Sequence, residues 1–397
     1  MNPVPRLRDY RGPALLSYGF RPFFLLGAVY AGLAILAWLP LFNGELALST
    51  SFGPIDWHVH EMLYGYLPAV VTGFLLPAIP NWTGRLPIQG TPLLVLVVVW
   101  LAGRVAVTFS AEIDWLLAAI IDVSFLILVI AAAAREIVVG KNWRNLRVIA
   151  MVTLLLAGNI AFHLEAHLNG SAEYGARIGI AAIVLLLAVI GGRIIPSFTR
   201  NWLARENPGR LPAPFARFDV AVILFSAATL ALWTVQPVGR ITAAALAATG
   251  AMHIVRLARW AGDRTWRDRL VLVLHVGYAF VPLGFLLAGA AALAMVPADT
   301  GTHAWTVGAA GTLTLAVMTR ASLGHTGNAL VASAVTQAIY AVVVIAALAR
   351  ICSSLEPAWS VLLLHVSAFA WVAAFFGFAL SYGPLLVGAQ RGKASPA

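Results

Sequence analysis

The stretch "WHVHEMLYGY", Trp57 to Tyr66, heads one of many long apolar runs in this chain of 397 residues. Two histidines and a glutamate, His58, His60 and Glu61, stand within four positions at its mouth. Charged and titratable groups are costly in hydrocarbon and therefore rare there. The run they introduce decides the fold. A bilayer-spanning helix needs about 20 consecutive apolar residues, and such runs recur from residue 20 to the C-terminal end. Hydrophobic residues make up 61% of the chain and charged residues 11%, whereas a soluble domain is about one quarter charged. The composition is that of an all-α polytopic membrane protein. The gaps between the runs leave no space for a large soluble domain.

Cuts at polar and Pro/Gly-rich loops give twelve spans. They are expected at 20–42, 57–79, 91–110, 113–134, 146–167, 175–196, 217–236, 239–260, 268–296, 303–323, 328–351 and 357–388. This predicts a single integral membrane domain, 1–397: an N-terminal segment to residue 19, a bundle over 20–388 and a tail of 389–397. Numbering the spans sorts the Lys and Arg by side. One side takes Arg6, Arg8, Arg11, Arg21, Arg85, the Arg135–Arg147 loop, the Arg193–Arg217 loop, the Arg256–Arg269 loop, Arg320, Arg391 and Lys393. The other keeps Arg104, Arg177, Arg240 and Arg350. By the positive-inside rule both termini are cytoplasmic.

Several function classes fall away. The opening "MNPVPRLRDYRGPALLSYGF" is basic and Pro-broken, with no signal-peptide core. The single Cys352 rules out an intrachain disulfide, a cysteine-ligated iron–sulfur cluster and C-x-x-C-H haem attachment. The net charge of +10 sits in short loops and not in a basic stripe, so nucleic acid is not expected as a partner.

The topology gives the histidines depths. His58, His60, His163, His167 and His303 gather at the outer face, with Glu61 and Glu165 nearby. His275, His253 and His325 lie toward the inner face, and His365 about two turns in from the outer one. His303 and His325 bracket one helix and are roughly 33 Å apart at 1.5 Å per residue, so they cannot share an ion. Neutral imidazole suits iron, copper and zinc. A lone membrane histidine is more often a packed, hydrogen-bonded residue, which is the expectation for His253 and His365. Asp122 has no helix partner of its own, and Arg104 across the short outer turn is its expected structural partner. Arg193 and Arg320 end helices 6 and 10, as membrane anchors or as clamps on an anion such as a haem propionate.

Four blocks carry a further signal: "WHVHEMLYGYLPAVVTGFLLPAIPNWTGR" (57–85), "GGRIIPSFTRNWL" (191–203), "LHVGYAFVPLGFLL" (274–287) and "HAWTVGAAGTLTLAVMTRASLGHTGNAL" (303–330). In this order they resemble the NnrS family, over about Phe20 to Leu386. Asn328 departs from the family's pattern, which has arginine after "LGHTG". The resemblance implies a bacterial inner-membrane protein that carries non-covalent haem b and copper and acts on nitric oxide or related nitrogen species. Such chemistry belongs to denitrification or nitrosative-stress defence, and the resemblance leaves open both a haem-dependent oxidoreductase and a protein that only binds. Carried over by motif, the metal ligands are His58, His60, His275, His303 and His325, with His163 beside them. Glu61 orients an imidazole or relays protons. The electron donor is not readable. The competing class is a proton-coupled secondary transporter using membrane histidines and carboxylates, but the ionisable groups cluster at the faces and no inverted repeat is evident.

Overall fold

A computed structural model describes residues 10–83 and 87–388. Arg6, Arg8, Arg85, Arg391 and Lys393 of the charge sorting lie outside these residues. Among the described residues the regular structure is entirely helical. The long helices are α1 (Phe20–Phe42), α2 (Pro54–Pro80), α3 (Thr91–Thr108), α4 (Trp115–Val139), α5 (Leu146–Asn169) and α6 (Glu173–Glu206). They continue with α7 (Arg217–Val235), α8 (Arg240–Ala258), α9 (Arg269–Ala292), α10 (299–325), α11 (Ala334–Leu355) and α12 (Ser360–Val387).

Among the described residues, eleven of the twelve expected spans are long and apolar enough to cross a membrane. The segment α10 is continuous helix over a similar length, but its Thr and Gly residues make it less apolar than the others. Val98, Ile120, Leu224 and Leu362 project from four different helices and are each more than half exposed. Water would penalise such faces, and lipid accepts them. The chain is a polytopic all-α membrane protein. Helix α6 runs ten residues beyond its expected end at 196, through Pro196 to Glu206, because "SFTRNWLARE" continues a helical pattern in polar form.

Helix ends follow local chemistry. Asp114 accepts hydrogen bonds from the backbone N–H groups of Leu116 and Leu117 and so starts α4. Asp268 does the same for α9, and Ser333 starts α11. Helix α5 stops at Gly170, whose φ of 78° is left-handed.

The chain divides into two compact units. The first comprises Met1–Gly175, Met318–Leu330 and Phe375–Ala397, and the second Ala176–Val317 and Val331–Ala374. In the first, Arg21 does not sit in a loop as the charge sorting expects. It is buried, and its Nη1 donates to the carbonyls of Leu386 (2.9 Å) and Gly388 (2.8 Å). A cation there satisfies orphan carbonyls at the negative end of α12.

Among the described residues three helices contain π-helical turns: α2 at Glu61–Tyr66, α6 at Leu187–Gly191 and α10 at Ala304–Gly311. Such turns are rare and concentrate at functional sites. Two of them begin immediately after a histidine.

Candidate metal centre

Helix α2 starts with Pro54 in its first turn and is regular to His60. From Glu61 it widens into the π turn. The extra residue re-aims the side chains and releases a backbone carbonyl. The carbonyl of Gly65 accepts a hydrogen bond from Trp100 Nε1 at 2.9 Å, and Glu61 turns fully into the core.

Arg104, near the end of α3, meets Glu61 there. Its Nη1 donates to both carboxylate oxygens at 2.7 and 2.8 Å, and its Nη2 donates to Asp122 of α4. Tyr30 of α1 donates its hydroxyl to Glu61 as well. The pairing of Asp122 with Arg104 is the one expected from sequence. Two glycines make the approach possible. A Cβ on Gly65 would lie 2.5 Å from Arg104 Nη1, and one on Gly103 would lie 3.1 Å from Asp122 Oδ1.

Helix α5 brings the remaining groups. Asn159 and His163 are one turn apart on its inner face. His60 donates from Nδ1 to Glu61 Oε1 (2.9 Å) and from Nε2 to Asn159 Oδ1 (3.0 Å), with Asp122 Oδ2 at 3.2 Å. Asn159 Nδ2 and His163 Nε2 both donate to Asp122 Oδ2, at 2.8 and 3.0 Å. Phe52, Phe162 and Tyr64 wall the His60 ring.

The polar neighbours of His60 are oxygen acceptors, so both ring nitrogens are placed to donate. Two carboxylates, Glu61 and Asp122, face one guanidinium and two imidazoles. A cation that displaces a proton from His60 finds two imidazoles and a carboxylate whose ligand atoms all lie within 4.8 Å of one another. That donor set suits a first-row transition ion.

The structure brings His60, Glu61 and His163 together but not the whole outer group. His58 stacks on Trp38 with ring centroids 4.2 Å apart, and His167 on Trp115 at 3.9 Å. His163 and His167 do lie one turn apart, but His167 faces outward. Glu165 accepts from the N–H groups of Tyr174 and Gly175, so it caps the start of α6. His303 lies in the second unit, paired with Asp299 at 3.3 Å.

His325 packs its ring against Tyr18 and Phe20, and burial pushes the Tyr18 hydroxyl up to about 12. Asn328, the departure from the family pattern, donates to Thr326 Oγ1 at 2.7 Å. Arg193 is exposed and Arg320 half-buried. His365 bonds the Val361 carbonyl of its own helix.

In the second unit His275 bonds Thr199 Oγ1 through Nε2 at 2.8 Å. Its Nδ1 is buried without a hydrogen bond and faces Gly262, where a Cβ would come within 2.4 Å. His253 is fully bonded. Thr199, Ser226 and Tyr278 show how such histidines are satisfied: Tyr278 Oη donates to His253 Nδ1 (3.0 Å), whose Nε2 donates to Ser226 Oγ (2.9 Å). Tyr278 in turn accepts from Arg256 Nη1 at 3.0 Å, and Arg256 pairs with Asp219 at 3.1 Å. This bears out the packed, hydrogen-bonded reading of His253.

Sequence reasoning missed Tyr30 and Asn159 as members of the cluster. Asn159 carried a usable signal: it stands four residues before His163 and so shares its helix face. Tyr30 carried none.

A family model described as "NnrS protein" matches residues 14–390. No curated protein matches the chain.

Proposed function

The chain belongs to the NnrS family, and on that premise we propose that it is a metal-binding protein of the bacterial inner membrane that binds or processes nitric oxide or a related small nitrogen species. Both termini are then cytoplasmic, as the charge sorting requires. The observation that carries the proposal is the buried cluster of His60, Asp122 and His163. Its donors fit copper, which would supply a one-electron centre able to coordinate a diatomic ligand.

The residues around the donors have their own tasks. Arg104 holds Glu61 and Asp122 ionised and fixed in place. Asn159 orients Asp122. Glu61 lies between the Tyr30 hydroxyl and His60 Nδ1, so it can hand a proton from one to the other. Arg193 and Arg320 are anchors of the membrane face with capacity for an anion.

The family's haem finds a poorer match. The ring of His60 is walled by Phe52, Phe162 and Tyr64, His275 is closed by Thr199 and Gly262, and His303 is held by Asp299. These residues do not fit an iron porphyrin as packed, and no step is assigned to one.

A buried cluster of ionised groups is also what a proton-coupled transporter uses. One experiment separates the two. Purified protein is analysed for copper and iron, and its spectra are recorded oxidised, dithionite-reduced and under nitric oxide. Copper that is lost in His163→Ala and whose signal changes with nitric oxide supports the proposal. Metal-free protein from copper-replete cells that also takes up no added copper would move the cluster to proton transfer.

A further inference from the structure

The cluster of His60, Asp122 and His163 is closed. The side chains of His60 and Glu61 are 0% exposed, that of Asp122 1% and that of His163 5%. A proton or cation that trades places with the surroundings must therefore displace a side chain, and three aromatic rings stand in its way.

Two of those rings are fixed. Phe162 is fully buried in α5, and Gly175 packs so closely on its backbone that a Cβ there would lie 2.4 Å from Phe162 Cα. Tyr64 of α2 donates its hydroxyl to the Gly175 carbonyl at 2.7 Å. In a close-packed interior neither moves without its helix.

The third ring is held differently. Phe52 lies in the loop between α1 and α2, at the outer face by the charge sorting. Its neighbours Ser51, Gly53, Pro54 and Ile55 are all exposed, yet Phe52 is only 8% exposed. Its ring turns inward onto both imidazoles, with centroids 5.1 Å from His60 and 5.4 Å from His163, and meets Phe162 at 5.5 Å. A Cβ on Gly53 would meet nothing within 4 Å, so the strap has open space beside it.

Hydroxyl groups tie this strap down. Ser110, between α3 and α4, accepts from the Ser51 N–H at 2.8 Å and lies 2.9 Å from Ser51 Oγ. Its own hydroxyl donates to the Val107 carbonyl at 2.9 Å, which Thr50 Oγ1 also reaches at 2.9 Å. One backbone bond, Ala111 N–H to the Ser49 carbonyl at 2.9 Å, anchors the strap three residues before Phe52. The bonds nearest Phe52 can part and re-form without unwinding a helix, as loop motions do.

We infer that Phe52 is the gate through which water, protons and a metal cation from the outer face reach the buried cluster, and that the Ser110 hydroxyl is its latch. The inference deepens the proposed function and rests on it only for the cation. Closed, the ring keeps water off the ion cluster, where a low dielectric strengthens every charge interaction. Open, it exposes the imidazole side of the cluster and leaves the Arg104 pairing with Glu61 and Asp122 in place.

The test reads the gate without metal. Chelator-stripped full-length protein in detergent is placed in D2O, and exchange of the imidazole C2 hydrogen is followed for each histidine by mass spectrometry. Phe52→Ala should speed exchange at His60 and His163 by about tenfold and leave His253, buried in the other unit, unchanged. A second variant keeps the ring and locks the strap. In a Cys352→Ser background, Ser51→Cys with Ser110→Cys places two thiols where hydroxyls stand 2.9 Å apart, close enough for a disulfide of about 2 Å between sulfurs. Oxidised, this form should exchange more slowly than wild type at His60 and His163, and reduction should restore the rate. A packing residue in a loop that never opens would not respond to that lock. If Phe52→Ala also speeds His253, the variant is unfolding and the locked form decides.

Co2+ uptake by the same samples separates this inference from the metal reading. Faster uptake in Phe52→Ala and slower uptake in the locked form, to the same final amount, upholds both. Exchange that follows the gate in protein that takes up no Co2+ upholds the gate and refutes the metal site. Exchange at His60 and His163 that is the same in all forms, with Co2+ bound at unaltered rates, overturns the gate and leaves the metal site standing.

Discussion

Replacing Arg104 by Met tests whether charge holds the cluster together. Arg104 is 5% exposed, and Glu61 and Asp122 are at most 1% exposed, so solvent screens their interaction little. Each carboxylate interacts with the guanidinium by about 4 kcal/mol, for charge centres ~4 Å apart at an effective dielectric of ~20. Removing the arginine strands two buried carboxylates. The measured cost of breaking a buried pair is about 3–5 kcal/mol, part of the gross attraction being offset by desolvation already incurred on folding. Arg104→Met should therefore lower the apparent melting temperature in detergent by roughly 5–10 °C, followed by circular dichroism. The triple variant Arg104→Met, Glu61→Gln, Asp122→Asn should recover most of that loss, because it leaves no unpaired charge. A single variant that melts with the wild type, or a triple variant as unstable as the single, would refute the electrostatic account.

Other outcomes follow from the same geometry. His163→Ala should weaken metal uptake by about 10-fold or more, and His167→Ala should leave it unchanged, as read by metal titration. Uptake at the buried site should weaken as pH falls, by about tenfold per unit where one proton is displaced, because protons reclaim His60; a titration independent of pH would remove His60 from the donor set. Gly65→Ala puts a Cβ 2.5 Å from Arg104 Nη1 and 3.0 Å from Glu61 Oε2, so it should destabilise by about 1–3 kcal/mol. Gly53→Ala, which meets open space, is its control in the same melting assay. Tyr278→Phe deprives His253 Nδ1 of its donor and should cost about 1–3 kcal/mol without changing metal content.

The helices were legible because hydropathy is local. The expected span 20–42 and the helix Phe20–Phe42 coincide, and 217–236 differs from Arg217–Val235 by one residue. The pairing of Asp122 with Arg104 was legible for a related reason: a charge amid a 25-residue apolar helix must find an opposite charge, and the neighbouring helix offered one. The make-up of the metal centre was less accessible. His163 and His167 look alike in sequence, yet one points at Asp122 and the other, itself exposed, stacks on the half-buried Trp115. Nothing near Tyr30 signals that its hydroxyl will find Glu61.

The π turns were invisible to a reading that assumes 3.6 residues per turn, and the one in α2 re-aims Glu61. What the sequence by itself determined is the all-helical membrane fold, the order of its apolar helices and the family, since these depend on composition and spacing along the chain; of the twelve expected spans, eleven are apolar enough to cross a membrane among the described residues. Tertiary structure alone decided which histidines meet a carboxylate and which meet an aromatic ring. That choice depends on helix rotation and packing, where a shift of one residue carries a side chain about 100° around the axis, from a buried ion cluster to the lipid-facing surface.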